Sequence, residues 1–201
     1  MSTRRARPIL LAAITVLATA CATHTVTGTP RAAVATSAPT TSAAEALTWL
    51  RTTDPQTGTS AELPGVAEIG ETSITNGTPG GPPIPARKHQ VLTSRSGTVQ
   101  MTVLQRAPGA LFDFEGDVRG SRDRYSGTIV SKQPVTVDGH RGLDYVITYT
   151  SPDGEPSVLH TRVVEAAAFA ARITTRGVNK DLAAVAAVHA RVISSMRVPA
   201  E

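Results

Sequence analysis

From Lys88 onward, apolar and polar residues alternate in short runs separated by turn residues. Val99, Met101 and Val103 alternate with polar neighbours in Thr98–Gln105, the period of a strand with one buried face. A partner strand over 89–94 precedes it across Ser96-Gly97. Thr128–Val137 reads as a strand ending at Asp138-Gly139, and Leu143, Tyr145, Ile147 and Tyr149 alternate in the run that follows. Pro152-Asp153-Gly154 marks the next turn, Pro156 opens a strand over 158–165, and 169–175 completes the series. Asp-Gly between alternating runs is a strong hairpin signal, because the tight turn needs positive φ. The pattern therefore predicts an antiparallel sheet of five or six strands.

The period then changes. Leu182, Val185, Val188, His189, Val192 and Met196 recur at spacings of three and four, which predicts a helix with one apolar stripe. Asn179 is placed to cap it, and Arg191 and Arg197 near its end suit the helix dipole. A second helix is predicted from the capping-box pattern Ser42-Ala43-Ala44-Glu45 through Leu47, Trp49 and Leu50, stopping at Thr53-Asp54-Pro55. Trp49 is expected to pack that helix onto the core. Residues 54–87 are poorly patterned: 66–69 fits a short strand, and NGTPGGPPIP over 76–85 reads as loop. Leu111, Phe112 and Phe114 read as a helical turn, followed by an exposed loop, GDVRGSRDR.

The first twenty residues follow a different pattern. Arg4, Arg5 and Arg7 precede an uncharged, mostly apolar stretch from Pro8 to Ala20. It is shorter than the roughly 20 residues a membrane span needs, and it fits the h-region of an export signal. Cys21 follows, with Ala18, Thr19 and Ala20 before it, and it is the chain's only cysteine. This is the arrangement of a lipobox, although Ala18 stands where Leu is usual. The expectation is cleavage after residue 20 and diacylation of Cys21, two chains being what a stable anchor needs. Residues 22–44, rich in Ala, Thr, Ser and Pro, read as a disordered linker. The organisation expected is a signal peptide over 1–20, a lipidated cysteine and linker over 21–44, and one domain over 45–201.

Removal of the signal changes the charge picture. A pI near 9.7 points towards nucleic acid, but three of the twenty basic residues lie in the signal and all sixteen acidic ones lie after Cys21. What remains is nearly neutral, without the field that steers phosphate. Nucleic acid is excluded as an expected partner.

The order of elements from Asp138-Gly139-His140-Arg141-Gly142 to Ser194-Ser195-Met196-Arg197-Val198 resembles the Mog1/PsbP-like α/β/α fold. The likeness is strongest to actinobacterial envelope lipoproteins of that class, which share the signal, cysteine, linker and domain order. It spans roughly 88–198 and lacks a convincing first hairpin over 54–87. The resemblance implies an α+β class, an antiparallel β-sheet packed with helices as an α/β/α sandwich. It also implies an extracytoplasmic address, and it supplies no catalytic motif.

Reactive constellations are hard to find. The five histidines have no metal-ligand spacing, and a pair such as Asp138 and His140 in a turn is the nearest approach. His189 lies on an apolar stripe, where a hydrogen-bonded core histidine is the plainer reading. No Gly-x-Ser-x-Gly elbow is present. Asp113, Glu115 and Asp117 offer paired carboxylates, although acids alternating on a polar segment usually form a solvated surface. Arg119, Arg122 and Arg124 put three guanidiniums in six residues, a candidate partner-binding patch set against a plain solvated loop. No cofactor and no metal are expected. The function expected is a non-catalytic binding or accessory module on the outer face of the cytoplasmic membrane, held through Cys21 and contacting an envelope protein or a small ligand. The alternatives are a lipid or glycolipid carrier and an envelope hydrolase.

Overall fold

The computed structural model describes residues 47–75, 83–93, 97–107, 109–178 and 182–200. Cys21, the linker, the Ser42–Glu45 capping pattern and Asn179 lie outside the described residues. The alternating runs form strands β1 (Leu50–Thr53), β2 (Ser60–Leu63), β3 (Glu68–Thr75), β4 (Pro83–Leu92) and β5 (Thr98–Gln105). Helix α1 (Phe114–Tyr125) follows, then β6 (Thr128–Val137), β7 (His140–Thr150), β8 (Pro156–Glu165), β9 (Phe169–Val178) and α2 (Leu182–Ser195). β1 and β2 make a two-stranded sheet. The other seven form an antiparallel sheet in the order β3-β4-β5-β9-β8-β7-β6.

Pleating sends alternate side chains to opposite faces. Val99, Met101 and Val103 of β5 and Ala171 and Ile173 of β9 share one face with Leu63, Val192 and Met196, so α2 and the β1–β2 hairpin cover that side. Leu143, Tyr145 and Ile147 of β7 with Leu159 and Val163 of β8 form the other side, where Val118 of α1 is buried.

This architecture corrects the expected fold class. The described residues are mostly sheet, with two helices, and they do not form a helix-packed α/β/α sandwich. Each face meets one helix, and the hairpin completes the cover over β4 and β5. The antiparallel sheet expected with five or six strands has seven, and β1 and β2 form a second one.

Three local corrections have physical causes. The segment through Trp49 and Leu50 is not a helix: β1 pairs residue by residue with β2, Leu50 opposite Leu63 through Thr53 opposite Ser60. Asp54-Pro55 then opens the hairpin loop instead of ending a helix. GDVRGSRDR is not a loop but most of α1. Asp113 caps that helix through its side chain to the Gly116 N–H, acids occupy its first turn and Arg122 and Arg124 its last, as the dipole favours. Phe114, Val118, Ser121 and Tyr125 form its inward stripe, but only Val118 of the segment GDVRGSRDR is apolar, so that segment reads as loop. Pro83 and Pro85, read as loop, belong to β4. They pair with β3 only, since β4 meets β5 from Ala86 onward, and a strand margin tolerates a missing N–H.

Candidate functional site

The hairpin loop between β1 and β2 is built on Asp54. One carboxylate oxygen, Oδ1, accepts from the Gln56 N–H at 3.2 Å, the Thr57 N–H at 3.0 Å and the Thr57 hydroxyl at 2.9 Å. Gly58, at φ 72°, supplies the left-handed residue that returns the chain. The other oxygen, Oδ2, turns inward to the sheet. It accepts from His89 Nε2 of β4 at 3.2 Å and lies 3.5 Å from Arg87 Nη1. Burial pushes the Asp54 carboxyl up, but the hydrogen bonds from His89, Thr57 and Gln56 outweigh it and hold the group below its ordinary value. Asp54 is thus a fixed anion behind the sheet surface.

In front of it opens a cleft of about 400 Å³. Gln56 and Thr57 of the hairpin loop form its roof, Val103, Pro85 and Phe169 its apolar floor, and Glu71, Arg87 and Arg106 its charged walls. The two arginines differ. Arg106 is committed: it donates to Glu165 Oε1 at 2.8 Å and to the Ala166 carbonyl. Glu165 also accepts from the Phe112 N–H at 2.7 Å and from Arg141. Burial raises the Glu165 carboxyl, and Arg141, the Phe112 N–H and Arg106 together bring it below its ordinary value.

Arg87 is held but not used. Its guanidinium lies 3.5 Å from Asp54 and 3.5 Å from Glu71, contacts too long for good hydrogen bonds, and its buried Nη1 has no hydrogen-bond partner. Nη1 turns inward to Asp54, and the rest of the guanidinium lines a cleft whose remaining carboxylate, Glu71, is 85% exposed and on a flexible stem. A solvent-exposed ion pair of that kind contributes about 0–1 kcal/mol, so an incoming carboxylate displaces Glu71 at little cost. His89 has a buried Nδ1 without a partner, yet the residue is fully buried and cannot hand a proton to a cleft ligand.

The residues singled out from the sequence do not converge. Arg119, Arg122 and Arg124 lie on α1 and are exposed. At about 100° per residue, Arg122 and Arg124 are roughly 160° apart around the helix, so the three do not make one anion site. Arg119 lies 3.7 Å from Asp113, and Arg122 pairs with Asp123 at 2.7 Å. The paired carboxylates are each engaged elsewhere: Asp113 in the cap, Glu115 with Lys132 at 2.8 Å, and Asp117 with Tyr145 at 2.7 Å and Arg172 at 3.1 Å. Asp138 accepts from the Val198 N–H at 2.9 Å and His140 donates to the Pro199 carbonyl at 3.0 Å, so that pair ties down the C-terminal segment. Among the described residues no group of three His, Cys, Asp or Glu is placed to hold a metal. His189 makes the hydrogen bond expected of a core histidine, to Thr175 Oγ1 at 3.0 Å.

The cleft was not visible in the sequence because Asp54, Glu71, Arg87 and Phe169 come from four separate segments. The one local signal is Thr53-Asp54-Pro55, which reads as a helix end and instead opens the hairpin loop.

No family model matches the chain, and no curated protein matches it. Among solved structures it is similar to a crystal structure of a Pseudomonas aeruginosa protein of unknown function, at 10% identity and a TM-score of 0.42, over 76% of this chain and 98% of the other. A likeness at that level leaves the cleft's chemistry to be read from this chain's own residues.

Proposed function

We propose that the protein is a non-catalytic binding module, exported and anchored through a lipid on Cys21, that takes a carboxylate-bearing small ligand in the cleft under the Asp54 hairpin loop. The observation that carries the reading is Arg87, a guanidinium with no hydrogen bond made, in the wall of an open cleft. Arginine binds a carboxylate through charge-assisted N–H bonds, and the Nη2 side, held only by a long contact to Glu71, is the part a ligand can reach. Glu71 stands in the unliganded protein roughly where the ligand's carboxylate would go, and once displaced it is free to meet a ligand ammonium. The Gln56 and Thr57 side chains add polar contacts, and Phe169 and Val103 offer a surface for an apolar group. Two guanidiniums in the walls suit a polar ligand better than an acyl chain, so the carrier reading is not preferred for this cleft.

The test is a thermal-shift panel of free amino acids, dipeptides and their amidated or N-acetylated forms. A ligand at a hundred times its dissociation constant stabilises by about 2.7 kcal/mol, which for a chain of this size raises Tm by roughly 5–10 °C. The shift is expected with free carboxylates, to weaken on amidation, and to vanish in Arg87→Gln. A panel in which amidated and free forms behave alike would remove the reading. The anchor is tested by the intact mass of the membrane-associated protein, expected to start at Cys21 with acyl groups added.

A further inference from the structure

A second surface lies at the C-terminal end of α2, beside Leu47, where the chain enters the described fold. Three arginines gather there. Arg191 lies over the ring of Trp49, 4.1 Å from its centroid. Arg51 reaches the Ser195 carbonyl at 3.4 Å, and Arg197 donates to the Met196 carbonyl at 2.7 Å. All three are exposed, and Glu62, 3.5 Å from Arg191, is the carboxylate paired among them. The Ser60 hydroxyl, which accepts from Arg51 at 3.0 Å, and the helix-end carbonyls explain how Arg51 and Arg197 are held. They do not explain why the same corner leaves Leu47 and Leu50 39% and 38% exposed on either side of the chain's single tryptophan.

We infer that this corner is the face the domain rests on an anionic membrane surface. The inference takes its setting from the proposed anchor at Cys21, is read from the residues of the corner itself, and is independent of the cleft. Twenty-five residues separate Cys21 from Leu47, so even a fully extended chain holds the fold within about 85 Å of the bilayer. The corner nearest in sequence to that tether is the one with cations, an amphipathic aromatic ring and shallow apolar side chains. These are the chemistries suited to a headgroup layer: guanidiniums pair with lipid phosphate, while the indole and leucines enter the boundary. Each cation near such a surface raises partitioning roughly fivefold.

Trp49 makes the test direct, because it alone supplies tryptophan emission. The full-length processed protein is reconstituted into vesicles of phosphatidylcholine alone or with 30% phosphatidylglycerol, and its emission and its quenching by bromine-labelled lipids are measured. The expected result is a blue shift and quenching on the anionic vesicles only, lost in 0.5 M salt. The triple variant Arg51→Gln, Arg191→Gln, Arg197→Gln is expected to lose at least tenfold of the anionic-vesicle response. The corresponding triple Lys variant, which keeps the charge, is expected to retain it and so separates membrane contact from misfolding. Anchored protein with the same Trp49 signal on both vesicle types overturns the inference and leaves the anchor standing. Unanchored protein that still shows the shift on anionic vesicles supports the face and overturns the anchor. Protein that stays in solution with both overturns the two together.

Discussion

At Gly177, β9 meets α2 without room for another atom. A Cβ built there would lie 2.2 Å from Cγ2 of Val185, far inside contact distance. The strand and helix are therefore spaced for a hydrogen at that position, and an added methyl must push α2 off the sheet. Gly177→Ala is expected to destabilise by about 1–3 kcal/mol, the usual cost of overpacking. Val185→Ala in the same chain should recover much of that, because it removes the clashing methyl. Chemical denaturation of the two single variants and the double variant gives the coupling, and additive effects would show that the contact is not the cause. Arg87 is the opposite case: a residue with donors left unmade.

At the scale of the element, α1 shows why some of the molecule could be read from sequence and some could not. Its inward side is held by hydrogen bonds. Tyr145 donates to Asp117 and meets Ser121 Oγ at 2.9 Å, and Arg172 donates to Asp117 and Ser121, each at 3.1 Å. Burial pushes the Tyr145 phenol well above its ordinary value, with Arg172 opposing, so it remains a donor at any ordinary pH. Tyr145→Phe removes that donor from a half-buried carboxylate and is expected to cost about 1–3 kcal/mol. A lower denaturant midpoint at unchanged slope would establish it, and an unchanged midpoint would mean that Arg172 alone suffices. Phe114, Val118 and Tyr125 do sit at helical spacing on that side, but the two aromatics lie outside GDVRGSRDR, whose single apolar residue cannot mark a stripe, so it reads as surface loop. The β5 and β6 bounds, by contrast, were legible to the residue, since alternation and Asp138-Gly139 are local signals. β1 misled for a third reason. Leu47, Trp49 and Leu50 have a spacing that fits a helical turn, while the pairing that makes them a strand lies with Leu63, thirteen residues beyond Leu50. The cleft required four such non-local meetings at once.

At the scale of the whole molecule, acid stability collects contributions from several places. Burial pushes His189 down to about 3, with His160 and Arg162 adding to it, and burial lowers His160 as well. The unfolded chain takes protons on both imidazoles below about pH 6.5 while the folded chain resists, so stability falls as pH drops through that window. Each group so affected removes up to about 1.4 kcal/mol per pH unit. Asp54 and Glu165 sit below their ordinary values of 3.8 and 4.5, and their contribution is present above those values and lost further down. The expected profile is a decline beginning near pH 6.5 and steepening below about 4.5. His189→Gln should flatten the upper part and leave the lower. Tm measured from pH 7.5 to 3.5 checks it, and an upper limb unchanged in the variant would assign that decline elsewhere.

The strand order has one more consequence. β3, β4 and β5 are sequence neighbours that pair in turn, and so are β6 to β9. The two ribbons meet along a single seam, β5 against β9, where Thr98 faces Arg176 and Gln105 faces Phe169. Each ribbon needs only short loops to assemble, whereas the seam must bring together residues more than sixty positions apart. Short-range contacts form fast and long-range ones slowly, so closing the seam is the step that turns two independent ribbons into one cooperative body. The cleft depends on it, because its floor joins Val103 from one ribbon to Phe169 from the other. A half-assembled chain, however well paired within each ribbon, has no cleft.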